Sequence, residues 1–190
     1  MRVVYSAQIQ AVASTLRMSE DTVEIRIAQK DDVTALNTLI HQSASALSIG
    51  FYNDAQIAAL NRYVFGVDTA LIADQSYFVV QQQERAIACG GWSKRRTLYG
   101  GDQRRVGMPE LLDPQTDAAK IRAFFVHPDF ARQGIGRLLL QHCEQQAKAN
   151  GFKRCELMAT LPGVPLYQKC GYQAIETVVD RLPDQTEVAF

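Results

Sequence analysis

An α/β domain built on a mixed sheet is the fold class this sequence predicts, and three observations predict it. Short apolar or alternating runs recur along the chain, separated by stretches with apolar residues at helical spacing. The most apolar run, "IRAFFV", feeds through a proline and a Gly134-Ile135-Gly136 turn into a long amphipathic segment. The 190 residues suffice for one domain with a full hydrophobic core.

The elements follow in order. Residues 1–22 are poorly patterned and read as an N-terminal extension or a loosely attached helix, leaving 23–190 as the domain. "VEIRIA" alternates and predicts a strand over 23–28. Asp31 or Asp32 then caps a helix in which Val33, Leu36, Leu39 and Ile40 share a face. A second helix runs from about Asn53, with Ile57, Leu60 and Val64 at helical spacing. "SYFVVQQQERAIACGGWS" predicts a hairpin with strands over 77–81 and 86–92. Residues 94–120 carry glycines, prolines and charges without periodicity, a length of irregular chain that suits a substrate mouth. Residues 121–126 form a strand ended by His127-Pro128. The helix after the glycine turn places Ile135, Leu138, Leu139 and Cys143 on one face and closes at Gly151. A strand over 154–159, a short helix over 165–169 and a strand in "YQAIETVV" complete the pattern. The final "TEVAF" is expected to pair beside that last strand.

Composition narrows the function classes. Twenty basic residues balance twenty acidic ones, so nothing marks a nucleic-acid partner. The cluster at Lys94, Arg95 and Arg96 reads as a solvated loop or a local anion site. Four cysteines without a CxxC pair point to neither a zinc site nor a disulfide framework, and no metal is expected. No apolar run is long enough to cross a bilayer, and a soluble, cytoplasmic protein without a membrane partner is the expectation.

Strand, bend, glycine turn and helix N-terminus together suit an anion. The first helical turn leaves backbone N–H groups without partners, and the helix dipole adds about half a positive charge there. Glycines at 134 and 136 admit a phosphate close to the backbone, flanked by Arg132 and Arg137. A P-loop is excluded because Arg137-Leu138 stands where Lys-Ser/Thr is required, and a dinucleotide fingerprint because Leu139 replaces its third glycine.

"V-H-P-D-F-A-R-Q-G-I-G-R-L-L-L" resembles the coenzyme A-binding motif of the GNAT superfamily of N-acetyltransferases, V-x-P-x-x-Q/R-x-x-G-x-G/A followed by a helix. "P-L-Y-Q-K-C-G-Y", from Pro165 to Tyr172, is similar to that family's L-Y-x-K-x-G-F/Y stretch. Two positions depart: Ala131 stands at the usual Gln/Arg, and Thr160 where many members carry asparagine. The resemblance implies a mostly antiparallel twisted sheet, flanked by helices and splayed between the strands at 121–126 and 154–159. It implies acetyl-CoA as co-substrate, with pantetheine along Phe124, Phe125 and Val126. The pyrophosphate would lie on the backbone of Arg132, Gln133, Gly134, Ile135, Gly136 and Arg137. It also implies Tyr167 as general acid to the CoA thiolate, and a small-molecule amine as acceptor. The base stays open among Glu156, His127 and a water chain. Cys170 is not needed as a nucleophile. Trp92 is the foremost candidate for the acceptor pocket, with Tyr99, Asp102, Glu110 and Asp113 behind it. A non-catalytic acyl-CoA-binding module and a lysine or N-terminal protein acetyltransferase are the competing readings, and a homodimer is an open possibility.

Overall fold

Alternating runs become strands and the helical stripes become helices over most of the chain. The structure is a computed structural model and describes residues 2–9, 23–104, 107–178 and 180–190. In chain order these form β1 (Arg2–Gln8), β2 (Val23–Ile27), α1 (Val33–Leu47), α2 (Asp54–Tyr63), α3 (Thr69–Ala73), β3 (Tyr77–Gln82) and β4 (Arg85–Ser93). There follow β5 (Ala119–Val126), α4 (Ile135–Ala149), β6 (Arg154–Met158), α5 (Val164–Lys169), β7 (Gln173–Val178), β8 (Asp180–Arg181) and β9 (Glu187–Val188).

Seven strands make one sheet in the order β2-β3-β4-β5-β6-β1-β7, antiparallel throughout except where β5 runs parallel to β6. Tyr77, Phe78, Val79 and Val80 are consecutive and all buried, because helices cover both faces. Phe78 and Val80 join Leu139, Leu140 and Cys143 of α4 in one core. Tyr77 and Val79 join Leu36 and Ile40 of α1 and Leu60 of α2 in the other.

Two parts of the chain depart from the sequence reading. Arg2–Gln8 is neither an extension nor a loose helix: it lies between β6 and β7 and pairs antiparallel with both. Val4 and Tyr5 are adjacent and both buried, so a strand covered on both faces showed no alternation to detect. Residues 10–22, the rest of that segment, lie outside the described residues. The "TEVAF" end does not join β7. β9 pairs with β8, and Leu182, Val188 and Phe190 enter the second core. Tyr52 Oη donates to Ala189 O at 2.7 Å and Gln56 Nε2 to Glu187 O at 2.9 Å, which fastens this hairpin to α2.

The aperiodic stretch after β4 is held by long-range bonds that no local pattern encodes. Leu112 N–H donates to Lys94 O at 2.8 Å, and Gly101 N–H to Val64 O at 3.0 Å. Arg95 is no solvated cation: it grips Asp74 in two bonds of 2.7 and 2.9 Å. No helix among the described residues is long and apolar enough to cross a membrane.

Asp32, at the head of α1, accepts two bonds of 2.7 Å from Arg26 and one of 2.7 Å from Gln29 N–H. The Arg26 bonds hold its carboxyl below the ordinary value. A depressed folded pKa contributes stability above the unfolded value of about 3.9, lost as pH falls through the folded one. Asp32→Asn therefore lowers the urea midpoint at pH 7, by an amount near 1 kcal/mol for so accessible a pair. In urea melts against pH the gap to the wild type closes below about pH 4.

Candidate active site

The glycine turn is built as an open cradle. β5 ends at Val126, and residues Pro128–Phe130 form one 3-10 turn, capped by His127 Nδ1 accepting Asp129 N–H at 3.2 Å. Arg132 (φ 65°) and Gly134 (φ 89°) both take left-handed backbone conformations, and α4 starts at Ile135 with no side-chain cap. The backbone N–H groups of residues 132–137 find no acceptor among the described residues. With the helix dipole behind them, they form a concavity suited to an anion. Arg132, Gln133 and Arg137 are exposed around it, whereas the Ile135 side chain is buried in the core, so only its N–H can serve a ligand. Gly136 has a packing reason as well: a Cβ there would sit 3.1 Å from Leu166 Cδ2 of α5. The second glycine lets the tyrosine helix close on the turn.

Beside the turn the sheet opens. β5 and β6 pair only at Ala119 with Cys155 and Lys120 with Glu156, so the edges beyond face each other unpaired. The β4–β5 register slips between Cys89 and Gly91, because β5 carries an extra residue there. Ala123 has φ 52° at this bulge, and Tyr77 Oη donates to its carbonyl at 3.1 Å. Gly90 faces the bulge because a Cβ would lie 2.5 Å from the Phe124 ring. Phe124 and Val126 pack toward α4, while Ala123 and Phe125 pack on the opposite face.

Tyr167, on α5, stands at the inner end of the splay. It is 7% exposed, lines the pocket beyond, and its hydroxyl has no hydrogen-bond partner among the described residues. Burial, seconded by Cys143 and Cys170, pushes its phenol well above the ordinary value, so it stays a proton donor. Gly163 accommodates the ring, since a Cβ there would come within 3.2 Å of Cε2. The pocket lies open to solvent at its mouth. Its walls come from distant segments: Phe65 and Gly66 after α2, residues 98–101, the bulged part of β5, Met158 and Thr160 at the end of β6, and Phe190.

Several candidates are placed elsewhere. Trp92 is core: its ring packs edge-on against Phe152 at 5.9 Å and does not reach the pocket. Asp102 accepts from Thr69 N–H at 3.0 Å, Glu110 pairs with Arg96 at 3.2 Å, and Asp113 accepts from Gln115 N–H at 2.9 Å. Of the five acceptor-pocket candidates only Tyr99 lines the pocket. Glu156 is bound to Lys120 at 2.5 Å, at the paired end of the splay. His127 caps its turn, and neither residue lines the pocket. Cys170 is half-buried at the end of α5.

Sequence reading missed Phe65, Met158, Phe190 and Arg122. Arg122 was the one with a signal, a charge inside the apolar run "IRAFFV". It lines the pocket and is ion-paired with Asp68 at 2.8 Å, both side chains 3% exposed, and it donates to Gly100 O. Asp68 in turn caps α3 by accepting Ala70 N–H at 3.0 Å.

The model of the acetyltransferase (GNAT) family matches residues 40–172. The amino-acid acetyltransferase of Edwardsiella ictaluri (strain 93-146) is 27% identical over 171 residues, which cover 86% of this chain and 37% of that relative. The chain thus spans little more than a third of that relative's length. A GCN5-related N-acetyltransferase from Rhodopseudomonas palustris has a similar structure, with a TM-score of 0.61 at 17% identity over 92% of this chain and 94% of its own. The PaiA N-acetyltransferase from Thermoplasma acidophilum, solved in complex with coenzyme A, gives 0.57 at 14% identity over 88% and 96%. At such identities the likeness is one of fold.

Proposed function

The chain belongs to the acetyltransferase (GNAT) family, and from that premise we propose that it transfers the acetyl group of acetyl-CoA to the primary amine of a small molecule. One observation carries the reading: the part of β5 unpaired from β6 lines a pocket together with Tyr167, and the same strand leads on to the cradle of free N–H groups. The N–H groups of residues 132–137 bind the pyrophosphate, with Arg132 and Arg137 adding charge. The backbone of Phe124, Phe125 and Val126 receives the pantetheine arm as an added strand would be received.

Acetyl-CoA supplies an activated thioester. The amine attacks its carbonyl carbon, the C–N bond forms, and the C–S bond breaks with its electron pair on sulfur. Tyr167 gives the sulfur its proton and regains one from solvent, and the nitrogen gives one to water. A pocket walled by residues 98–101 favours a small acceptor over a peptide laid in an open groove. The unengaged Tyr167 hydroxyl favours turnover over simple sensing.

Thermal unfolding with acetyl-CoA tests the reading. Ligand at about 100 times its Kd adds ~2.7 kcal/mol to the native state, roughly 5 to 10 °C in Tm for a chain of this size. ATP and NAD give no such shift. The absence of a shift with acetyl-CoA and with free CoA overturns the proposal.

A further inference from the structure

The bulge in β5 decides which of its residues turn to which face. Ile121 and Phe124 pack in the same core although they stand three apart, a separation that sends side chains of a regular strand to opposite faces. The extra residue brings Phe124 and Val126 onto the α4 face and leaves Ala123 and Phe125 on the other. The strand edge proposed above to receive the pantetheine arm, residues 124–126, is therefore set by this one irregularity.

Its conformation is not a local preference. Ala123 sits at φ 52°, a region that a Cβ disfavours, and the run "IRAFFV" contains no glycine. The hold comes from two strands away. Tyr77 of β3 pairs with Gly91 of β4, and its ring passes beside that glycine to reach β5, where the hydroxyl donates to Ala123 O at 3.1 Å. A side chain at position 91 would obstruct the route, since a Cβ there would lie 2.9 Å from Tyr77 Cδ2. Tyr77 is wholly buried, and burial holds its phenol well above the ordinary value, so the hydroxyl keeps the proton it donates.

We propose that Tyr77 is a positioning residue for acetyl-CoA: its bond to Ala123 O holds the bulge in the conformation that presents the edge of residues 124–126 to the pantetheine arm. The proposal rests on the acetyl-transfer reading above. Tyr77 does not itself line the pocket and acts through the β5 backbone. Without the bond, Ala123 relaxes toward ordinary extended backbone, and the apparent Kd rises by the reciprocal of the fraction that keeps the bulge. A glycine at this position takes φ 52° without steric cost, so the bulge then persists without its tether. Cys89 also hydrogen-bonds the Tyr77 hydroxyl. That contact is lost with either residue at position 123, so the effect of glycine isolates the bulge.

Calorimetric titration of acetyl-CoA into four proteins tests the assignment: the wild type, Tyr77→Phe, Ala123→Gly and the double variant. Tyr77→Phe raises Kd about tenfold over the wild type. With Ala123→Gly already present, the same loss of the hydroxyl changes Kd by less than about threefold. Amide hydrogen exchange at residues 123–126 gives a second reading that needs no ligand: it quickens in Tyr77→Phe, and the difference closes when both proteins carry Ala123→Gly. If Tyr77→Phe alone fails to fold, the double variant decides, by folding and binding acetyl-CoA within about threefold of Ala123→Gly. An unchanged Kd in Tyr77→Phe, a loss as large with glycine as with alanine at position 123, or a double variant that fails to fold overturns the role of Tyr77 alone. No binding of acetyl-CoA by the wild type removes the acetyl-transfer reading, and the positioning role falls with it.

Discussion

Replacing Tyr167 by phenylalanine lowers kcat by about 10² to 10⁴, the range that a positioned proton donor supplies, with the acetyl-CoA-induced Tm shift retained. The ring stays where α5 and Gly163 hold it, so packing is conserved and only the hydroxyl is lost. That hydroxyl bonds to nothing among the described residues, so its removal leaves no orphaned partner and costs little stability. The phenol is held above its ordinary value by burial, so it remains protonated through the assayable range. The wild-type kcat therefore has no basic limb from this group. Single-turnover kinetics measure the chemical step directly. A kcat within about threefold of wild type would leave Tyr167 as an aromatic wall and assign the sulfur's proton to water.

The second large effect is on stability. Arg122→Met removes one partner of an ion pair whose side chains are both 3% exposed. It leaves the Asp68 carboxylate buried opposite a thioether, a change that costs about 3 to 5 kcal/mol. At about 2 to 4 °C per kcal/mol for a chain this long, Tm falls by roughly 6 to 20 °C. The double variant Arg122→Met with Asp68→Asn recovers part of the loss, because the amide keeps an oxygen for Ala70 N–H and carries no charge. The recovered part is the coupling between the two sites, on the order of 0.5 to 3 kcal/mol for groups in contact. Gly100 also loses its donor, so the acceptor KM rises in the double variant while the acetyl-CoA shift persists. Differential scanning calorimetry of the four proteins of this cycle measures it. A loss below about 1 kcal/mol would mean that water reaches the pair.

What the sequence determined by itself is local. The glycine turn, the start of α4 and the strand before it are written in adjacent residues, because left-handed backbone and an uncapped helix start are properties of a few consecutive positions. Tyr167 was singled out by its motif alone, and its place in the pocket wall came from the tertiary structure. The tertiary structure alone decided which strand fills the place between β6 and β7. β1 has no alternation to show, since both its faces are covered. It also decided the acceptor wall, where Phe65, Tyr99, Phe125 and Phe190 come from four separate segments. The fate of each charge belongs to this group too: Glu156, one candidate base, and Asp102, one pocket candidate, are spent on Lys120 and Thr69, while Arg122 is turned inward onto Asp68. Such pairings depend on chain topology, which brings together residues tens of positions apart, and backbone propensity carries no record of them.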